Sequence, residues 1–598
     1  MKFNKALLSE KFLFLISLFG IVASLAWFLY LSPEPGKIEI IQPSLRTIYN
    51  APHTMQHKNY DPRNKGLYWI KFTTPGRVFA VDSLRLRIRN CVHNLQTNQT
   101  EWKLPPLDKS CDNREGLILR STASTLKENT TWHIAGSTRG DTYGVSLEKD
   151  WRDPKLVAGL AIFFISLALL LYTKLPIPQS ALRISTSLLL VGALAVRFWM
   201  VFIIAPPEMG LFSDMGAYFH RSWEIGRGIY YIRQLFQPVG FTLWSLWIRD
   251  LGGFELFKWT QIFLSWGTVF LIFLIARNRF GNVAGIASLV LAGLHVPQAA
   301  FATFHMAETF YAFVITLTFY FALKALANKK LSYFFTVGFL LSLAFYFKGN
   351  HAYFIPLFAL WLFYRERKSF SSGFKKVFVM GLGCLLVTTV HMAWTWQHYQ
   401  KPFLGPMAGA LNFVEGKCPS KDNIDSTGAR WMSPLFGILN ETTVKIWSRP
   451  FTDQGYFWNE GFKCVQENPF VLVESLRYIY YLFGGNDLWP IMTNATRSWY
   501  IPWEYFFHYG LLPLALLGAL SLARKKDDFT EISALMMLSL FFTVWFFKSE
   551  NRFRVPFDGI LLVWGSVGVA WLAEQVKALV FKGTKISAID APVEPDGV

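Results

Sequence analysis

The sequence predicts a polytopic α-helical membrane protein of about twelve transmembrane helices, with an extracytoplasmic β-sandwich-like domain near its N-terminus. Three observations predict it. The 598-residue chain is 52% hydrophobic and 17% aromatic, too apolar for an ordinary soluble protein. Apolar runs of about 20 residues, enough to cross a hydrocarbon core, recur along it. Basic residues gather at alternate loops, as the positive-inside rule expects: Lys2, Lys5 and Lys11; Arg277 and Arg279; Lys329 and Lys330; Arg365 to Lys376; Arg524 to Lys526; Lys577 and Lys582. These loops are expected in the cytoplasm, with both termini. They account for much of the formal charge of +19, so nucleic acid is not expected as a partner.

The expected spans lie near 12–31, 156–173, 184–205, 256–276, 283–300, 309–325, 332–347, 352–364, 377–396, 503–523, 532–547 and 556–576. The first, within 1–32, is long and lacks a clear cleavage site, so it reads as a retained helix. Residues 33–150 alternate in β-rich runs such as Tyr68–Phe72, Val78–Ile88 and Thr131–Ala135, broken by Pro, Gly and Asn, and predict the β domain. Trp102, Trp132 and Tyr143 there are a core or a sugar-stacking face. A second helix follows within 151–175, then a helical core over 176–396 with an external loop at 206–255. In that loop, Phe219–Tyr231 mixes charges with aromatics and predicts a surface helix, and Gln237–Leu251 predicts a short interfacial or re-entrant one. A large external loop fills 397–502, with an amphipathic stretch at Phe470–Phe483. The last helices lie in 503–580 and a polar tail in 581–598. No fixed-period repeat is evident.

Five cysteines test this topology. Cys91 and Cys111 share the first external segment, and Cys418 and Cys464 share the second, where disulfides persist. Two bridges are expected, Cys91–Cys111 and Cys418–Cys464, with Cys384 free inside a span. The sequons at Asn98, Asn129, Asn440 and Asn494 fall in the same two segments.

No Walker A loop, dinucleotide fingerprint, HExxH or CxxC is present, and no Asp-x-Asp pair of the kind that holds a nucleotide-sugar metal. Polar residues instead collect at the outer ends of the spans. Asp214 lies in Leu211-Phe-Ser-Asp-Met-Gly-Ala-Tyr218, just after Pro206-Pro207 closes a span. His305 and Glu308 occupy one outer turn and Lys348 another. Arg552 and Arg554 sit at the last outer turn, against the positive-inside trend. Arg197 lies within a span, where a charge is a functional candidate by default. Carboxylates and cations on one side of a helical module predict a site for an anionic, lipid-borne substrate. A lipid-substrate transporter or flippase and a non-catalytic envelope scaffold are the alternatives. The first predicts broken midplane helices and pseudo-repeats, which are not seen, and the second leaves the clustered charges without a purpose.

Asp214 followed by Tyr218, the acid Glu308 in the second external turn, and Glu550-Asn-Arg-Phe-Arg-Val-Pro556 opening the last span together resemble the GT-C superfamily of integral-membrane glycosyltransferases. The branch is similar to the protein O-mannosyltransferase and aminoarabinose transferase (PMT-type) enzymes. The resemblance covers roughly 180–580, and residues 1–175 are an addition to it. It implies a polyprenyl-phosphate sugar as donor and transfer on the external face of an integral membrane protein, the bacterial inner membrane being the expected location. Asp214 takes the role of general base. Glu308 is the second acid, with Tyr218 and His305 beside the acceptor, and Asp214 and Glu308 are the ligands of any divalent metal; no other cofactor is implied. Lys348, Arg552 and Arg554 hold the donor phosphate, with Arg197 behind them. A single carboxylate facing the acceptor favours inversion over retention. The sugar, the acceptor and the oligomeric state have no signature in the sequence.

Overall fold

The computed structural model describes residues 14–25, ten strands between 37 and 149 by their backbone, and residues 154–175, 180–204, 213–418, 453–484, 505–523 and 527–580, with Pro207 and Trp503. The Cys91–Cys111 pairing, the four sequons, the side chains of Trp102, Trp132 and Tyr143, and the tail lie outside the described residues.

The strands are β1 (Lys37–Ile41), β2 (Arg46–Tyr49), β3 (Thr54–Gln56), β4 (Tyr68–Thr73), β5 (Val81–Ile88), β6 (Cys91–Gln96), β7 (Glu101–Lys103), β8 (Ile118–Ser121), β9 (Thr131–Gly136) and β10 (Thr142–Lys149). They form two sheets, β2-β1-β4-β9-β8-β7 and β3-β10-β5-β6, with every pairing antiparallel. The central strand β5 aligns Leu84 with Leu95 on one side and Leu147 on the other. Among the described residues the strands establish two antiparallel sheets, and no sandwich packing between them is seen.

The rest is helical. Helix α1 (Phe14–Leu25) precedes the sheets, and α2 (Pro154–Lys174) follows them. Helix α3 (Ser180–Trp199) runs on into a π turn, Met200–Ile204. Helix α4 (Ser213–Gly226) comes next. Helix α5 (Val239–Gly293) leaves helical geometry at Gly252, Gly253 and Gly281. The φ values of +63° at Gly253 and +86° at Gly281 suit glycine alone, so these residues divide α5 into three segments. The first is the short interfacial helix read at Gln237–Leu251, with Pro238 as its N-cap.

Helices α6 (Val296–Phe301), α7 (Glu308–Asn328), α8 (Leu331–Phe347), α9 (Phe354–Arg365) and α10 (Phe370–Tyr399) complete the core. The second insert contributes α11 (Gly409–Lys417), α12 (Gln454–Glu467), α13 (Val471–Glu474) and α14 (Arg477–Gly484), the last two dividing the amphipathic stretch read at 470–483. Helices α15 (Leu512–Ala523), α16 (Asp528–Phe546) and α17 (Asp558–Val580) close the chain.

Six helices, at Leu182–Ile204, Leu256–Gly293, Glu308–Asn328, Phe370–Tyr399, Asp528–Phe546 and Val555–Ala578, are long and apolar enough to cross a membrane. Five shorter apolar helices accompany them. The expected twelve spans are therefore not established as a count, because several of these helices are too short to span alone. One apolar core runs through α3, α5, α7, α8, α16 and α17, from Leu190 and Ile272 to Leu340, Met536 and Leu562. On α10, Phe374, Phe378, Leu382 and Leu386 face outward. In a bilayer this is the expected surface, since lipid is as apolar as the core.

Cys418 and Cys464 form a disulfide that ties α11 to α12, with Cα atoms 5.2 Å apart and a sequence separation of 46. Closing a loop of that size contributes about 4 kcal/mol in the chain-entropy picture. Cys384 is free.

Candidate functional site

Asp214 lies in the first turn of α4, which starts at Ser213, six residues before the expected start of a surface helix at Phe219. Two forces extend the helix backward. A carboxylate in the first turn complements the positive helix end. Met215, Tyr218, Phe219, Ser222 and Ile225 also recur at helical spacing and are all buried, largely against Phe241, Ile248, Phe257 and Phe304. One side of α4 is therefore anchored, and Asp214 stands at its rim with a side chain 28% exposed.

The carboxylate takes two donors. Arg552 Nη1 reaches Oδ2 at 2.8 Å across 338 residues of sequence, and Gln237 Nε2 reaches Oδ1 at 3.0 Å. Arg552 also donates through Nε to Glu550, Glu550 pairs with Lys548 at 3.0 Å, and Lys548 pairs with Glu415 at 2.7 Å. Glu415 comes from α11 in the second insert. It arrives because α11 presses onto the Phe547–Lys548 backbone: a Cβ on Gly416 would lie 1.5 Å from the Phe547 carbonyl oxygen. Any side chain there would push α11, and Glu415 with it, off Lys548.

Lys348 follows α8 in extended geometry, pairs with Glu308 at 2.5 Å, and lies over the Phe553 ring at 5.1 Å. Glu308 occupies the first turn of α7 and is 2% exposed. The turn that carries Lys348 is fixed behind it. His351 bonds Tyr311 Oη at 2.8 Å and the Leu341 carbonyl at 2.9 Å, and Thr543 donates to the Asn350 carbonyl at 2.9 Å.

The electrostatics follow from these pairings. Burial alone would raise the Glu550 carboxyl, but Arg552 and Lys548 outweigh it and bring its pKa down to about 2. Burial works against the charges on Arg552 and Lys548, and their carboxylate partners raise both above their ordinary values. At Lys348 burial wins over Glu308 and lowers the pKa. Burial raises the Tyr218 phenol; Tyr218 stacks edge-on against Phe241 at 5.0 Å under the Arg221 guanidinium.

The structure brings Asp214, Glu308, Lys348 and Arg552 into one linked cluster, with Tyr218 beside it. It does not bring the other candidates there. His305 is fully buried against Phe257, bonded to Ser245 Oγ at 2.6 Å, and burial pushes its pKa well down. It belongs to the apolar wall under the site. The expected Arg552/Arg554 pair is divided. Arg554 turns to Asp558 at 3.0 Å and lies over Phe507 at 3.7 Å, while Asp558 also meets His295 Nε2 at 3.1 Å. Consecutive 3-10 turns, Asn551–Phe553 and Val555–Phe557, aim the two arginines apart. Arg197 is fully buried and bonded to Ser265 Oγ and to the carbonyls of Ala193, Ala292 and Gly293. As for a metal, Asp214 and Glu308 are each engaged by a cation, and the described residues include no group of three or more His, Cys, Asp or Glu that could hold one.

Gln237 and Glu415 are members of the site that sequence reasoning missed. Gln237 carries a local signal, since it directly precedes the Pro238 cap and faces a helix two turns long between Asp214 and Arg221. Glu415 carries none, because its contact depends on how α11 packs.

Residues 251–394 match the family model for dolichyl-phosphate-mannose-protein mannosyltransferases, meeting the resemblance read from the sequence. No curated protein matches the chain. Among solved structures, the chain is similar to an Archaeoglobus fulgidus oligosaccharyltransferase tethered to an acceptor peptide, at 12% identity and TM-score 0.36, covering 67% of this chain and 52% of that one. It is also similar to ArnT from Cupriavidus metallidurans bound to undecaprenyl phosphate, at 13% identity and TM-score 0.30, covering 67% and 81%. A third likeness is to the arabinosyltransferase EmbB of Mycobacterium smegmatis, at 10% identity and TM-score 0.27, covering 94% and 64%. The chain thus spans about half the length of the oligosaccharyltransferase. TM-scores of this size do not establish a shared fold.

Proposed function

We propose that this chain is an integral-membrane glycosyltransferase that moves a sugar from a polyprenyl-phosphate donor to an acceptor hydroxyl on the extracytoplasmic face, with inversion and with Asp214 as general base. The family match over 251–394 supports the reaction class. The observation that carries the mechanism is the Asp214–Arg552 pair, a partly exposed carboxylate on a buried-rim arginine, with Lys348 and Glu308 in the same cluster.

Each group then has a task. The lipid phosphate arrives as an anion at the membrane interface. Arg552 exchanges Asp214 for it, one anion for another, and Lys348 adds a second positive charge. The freed carboxylate accepts the proton of the acceptor hydroxyl as its oxygen attacks the anomeric carbon. The bond from that carbon to the phosphate oxygen breaks, and its electron pair leaves with the lipid phosphate, stabilised by the same cations. One base on one face gives inversion. Glu308 holds Lys348 in place and opposes the burial that lowers its pKa. The basic loops, which lie at the opposite helix ends with Arg279 on Asp527 and Arg365 on Asp528, support this sidedness.

The test is to incubate purified protein with labelled polyprenyl-phosphate sugars and total envelope extract. Transfer of label to an extract component, absent with Asp214→Asn, is the expected result. No transfer from any polyprenyl-phosphate sugar would overturn the donor assignment.

A further inference from the structure

Asp214 and Arg221 lie seven residues apart on α4 and so share a face, about 10 Å from each other along the axis. That separation is too long for a direct pair. Gln237 fills it: Oε1 accepts from Arg221 Nη2, and Nε2 donates to Asp214 Oδ1 at 3.0 Å. We propose that Gln237 is the positioning residue of Asp214, anchoring Oδ1 and leaving Oδ2 as the oxygen that takes the acceptor's proton. This rests on the reading of Asp214 as base.

Donor and acceptor chemistry makes the case. A guanidinium has only donors, so it sets which end of the Gln237 amide faces it. The oxygen turns to Arg221, and the N–H group is left for Asp214. That N–H cannot accept, so Oδ1 is held as an acceptor and is a poor place for a proton. Oδ2 faces Arg552, which keeps a second carboxylate, Glu550, when it lets Asp214 go. Arg221 has no such freedom. Its Nε donates to the Ala217 carbonyl at 3.0 Å and its Nη1 to the Gln234 carbonyl at 3.3 Å, and the guanidinium lies 4.8 Å over the Tyr218 ring. Leaving would take this donor from the buried Gln234 carbonyl. One carboxylate oxygen is therefore tied, through an amide, to an immobile cation, and the other to an exchangeable one. The same link fixes α4 against the start of α5, because Gln237 directly precedes Pro238.

The experiment measures transfer of labelled sugar from a polyprenyl-phosphate donor by the full-length protein, with kcat and KM separated. Gln237→Leu unties Oδ1 from Arg221 and is expected to lower kcat about 10- to 100-fold with KM for the donor close to wild type. Gln237→Glu keeps a partner for Arg221 but presents a carboxylate to Asp214, and is expected to lower kcat further. A structural role alone lowers the melting temperature and leaves kcat of the folded fraction in place. If Gln237→Leu does not fold, Gln237→Glu decides. A kcat within about twofold of wild type in the folded variants overturns the proposal. Asp214→Asn in the same assay separates the two readings: if it stays active the base assignment fails, and if it is inactive while the Gln237 variants are not, the positioning role alone fails.

Discussion

Arg197 and Arg552 are both withdrawn from water, but they hold opposite kinds of partner. Arg197, near the end of α3, donates to the carbonyls of Ala292 and Gly293 at 3.0 Å each. Those belong to the last turn of α5, where a helix lacks its own donors. A cation there also complements the negative helix end. Arg197 therefore caps a neighbouring helix inside the protein. Arg552 donates to carboxylates, Asp214 and Glu550. Neutral carbonyls cannot follow an arginine that moves, and they lose a donor when it goes. A carboxylate can be replaced by a phosphate at small electrostatic cost. The nature of the partner separates a cation that builds the structure from one that can serve a ligand. Lys417 falls on the building side: it is fully buried and held by Ser475 Oγ and the Trp545 carbonyl.

The sharpest way to break this comparison is at Asp214. Asp214→Asn should lower turnover by about 100-fold or more, while affinity for a polyprenyl-phosphate analogue stays equal or tightens, because a competitor for Arg552 has been neutralised. Turnover assays and lipid-phosphate binding on the same preparation check both halves. Retention of a third or more of wild-type turnover would remove Asp214 as base.

Arg552→Met should weaken binding of the lipid-phosphate analogue about 10- to 150-fold, the cost of one charge-assisted contact. Arg554→Met, by contrast, should leave that affinity nearly unchanged, since Arg554 is spent on Asp558. An equal loss in both variants would restore the pair as a single phosphate clamp.

Arg197→Met should do the reverse of Arg552→Met. A buried acceptor left without a donor, as the Gly293 carbonyl would be, costs roughly 1–3 kcal/mol, so thermal melting in detergent should fall by several degrees with binding intact in the folded fraction. Unaltered melting would mean that the Gly293 carbonyl finds another donor.

The smallest expected effect is a pH dependence confined to the outer cluster. The Glu550 carboxyl is held at about 2 against an ordinary 4.5. A depressed acid contributes stability that is present above its unfolded pKa and is lost as pH falls through the folded one. Melting should therefore decline between about pH 4.5 and 2, and Glu550→Gln should flatten that part of the curve. A decline of the same size in Glu550→Gln would assign it to other groups.

Much of this architecture was legible along the chain. Apolar runs marked the helices because crossing a bilayer leaves the backbone no partner but itself. The segregated cysteines anticipated the Cys418–Cys464 bridge, and the misplaced basic residues near Pro556 pointed to Arg552. The α4 start was read too late, since Ser213 and Asp214 look like loop residues until the buried side from Met215 to Ile225 is seen to carry the helix through them. The gap read between the spans at 256–276 and 283–300 falls at Gly281, where the chain leaves helical geometry and divides α5.

Sequence by itself determined which residue types were available at the rim: the acids Asp214 and Glu308, and the cations Lys348, Arg552 and Arg554. Local chemistry decides that much, because charges in short loops between apolar spans have nowhere else to lie. Only the tertiary structure decided who pairs with whom. It sent Arg552 to Asp214 and Arg554 to Asp558, although they are two residues apart, and it brought Glu415 to Lys548 through the bare backbone of Gly416. Charge acts over a few ångströms, and those few ångströms are set by the packing of helices hundreds of residues apart, which no local pattern records.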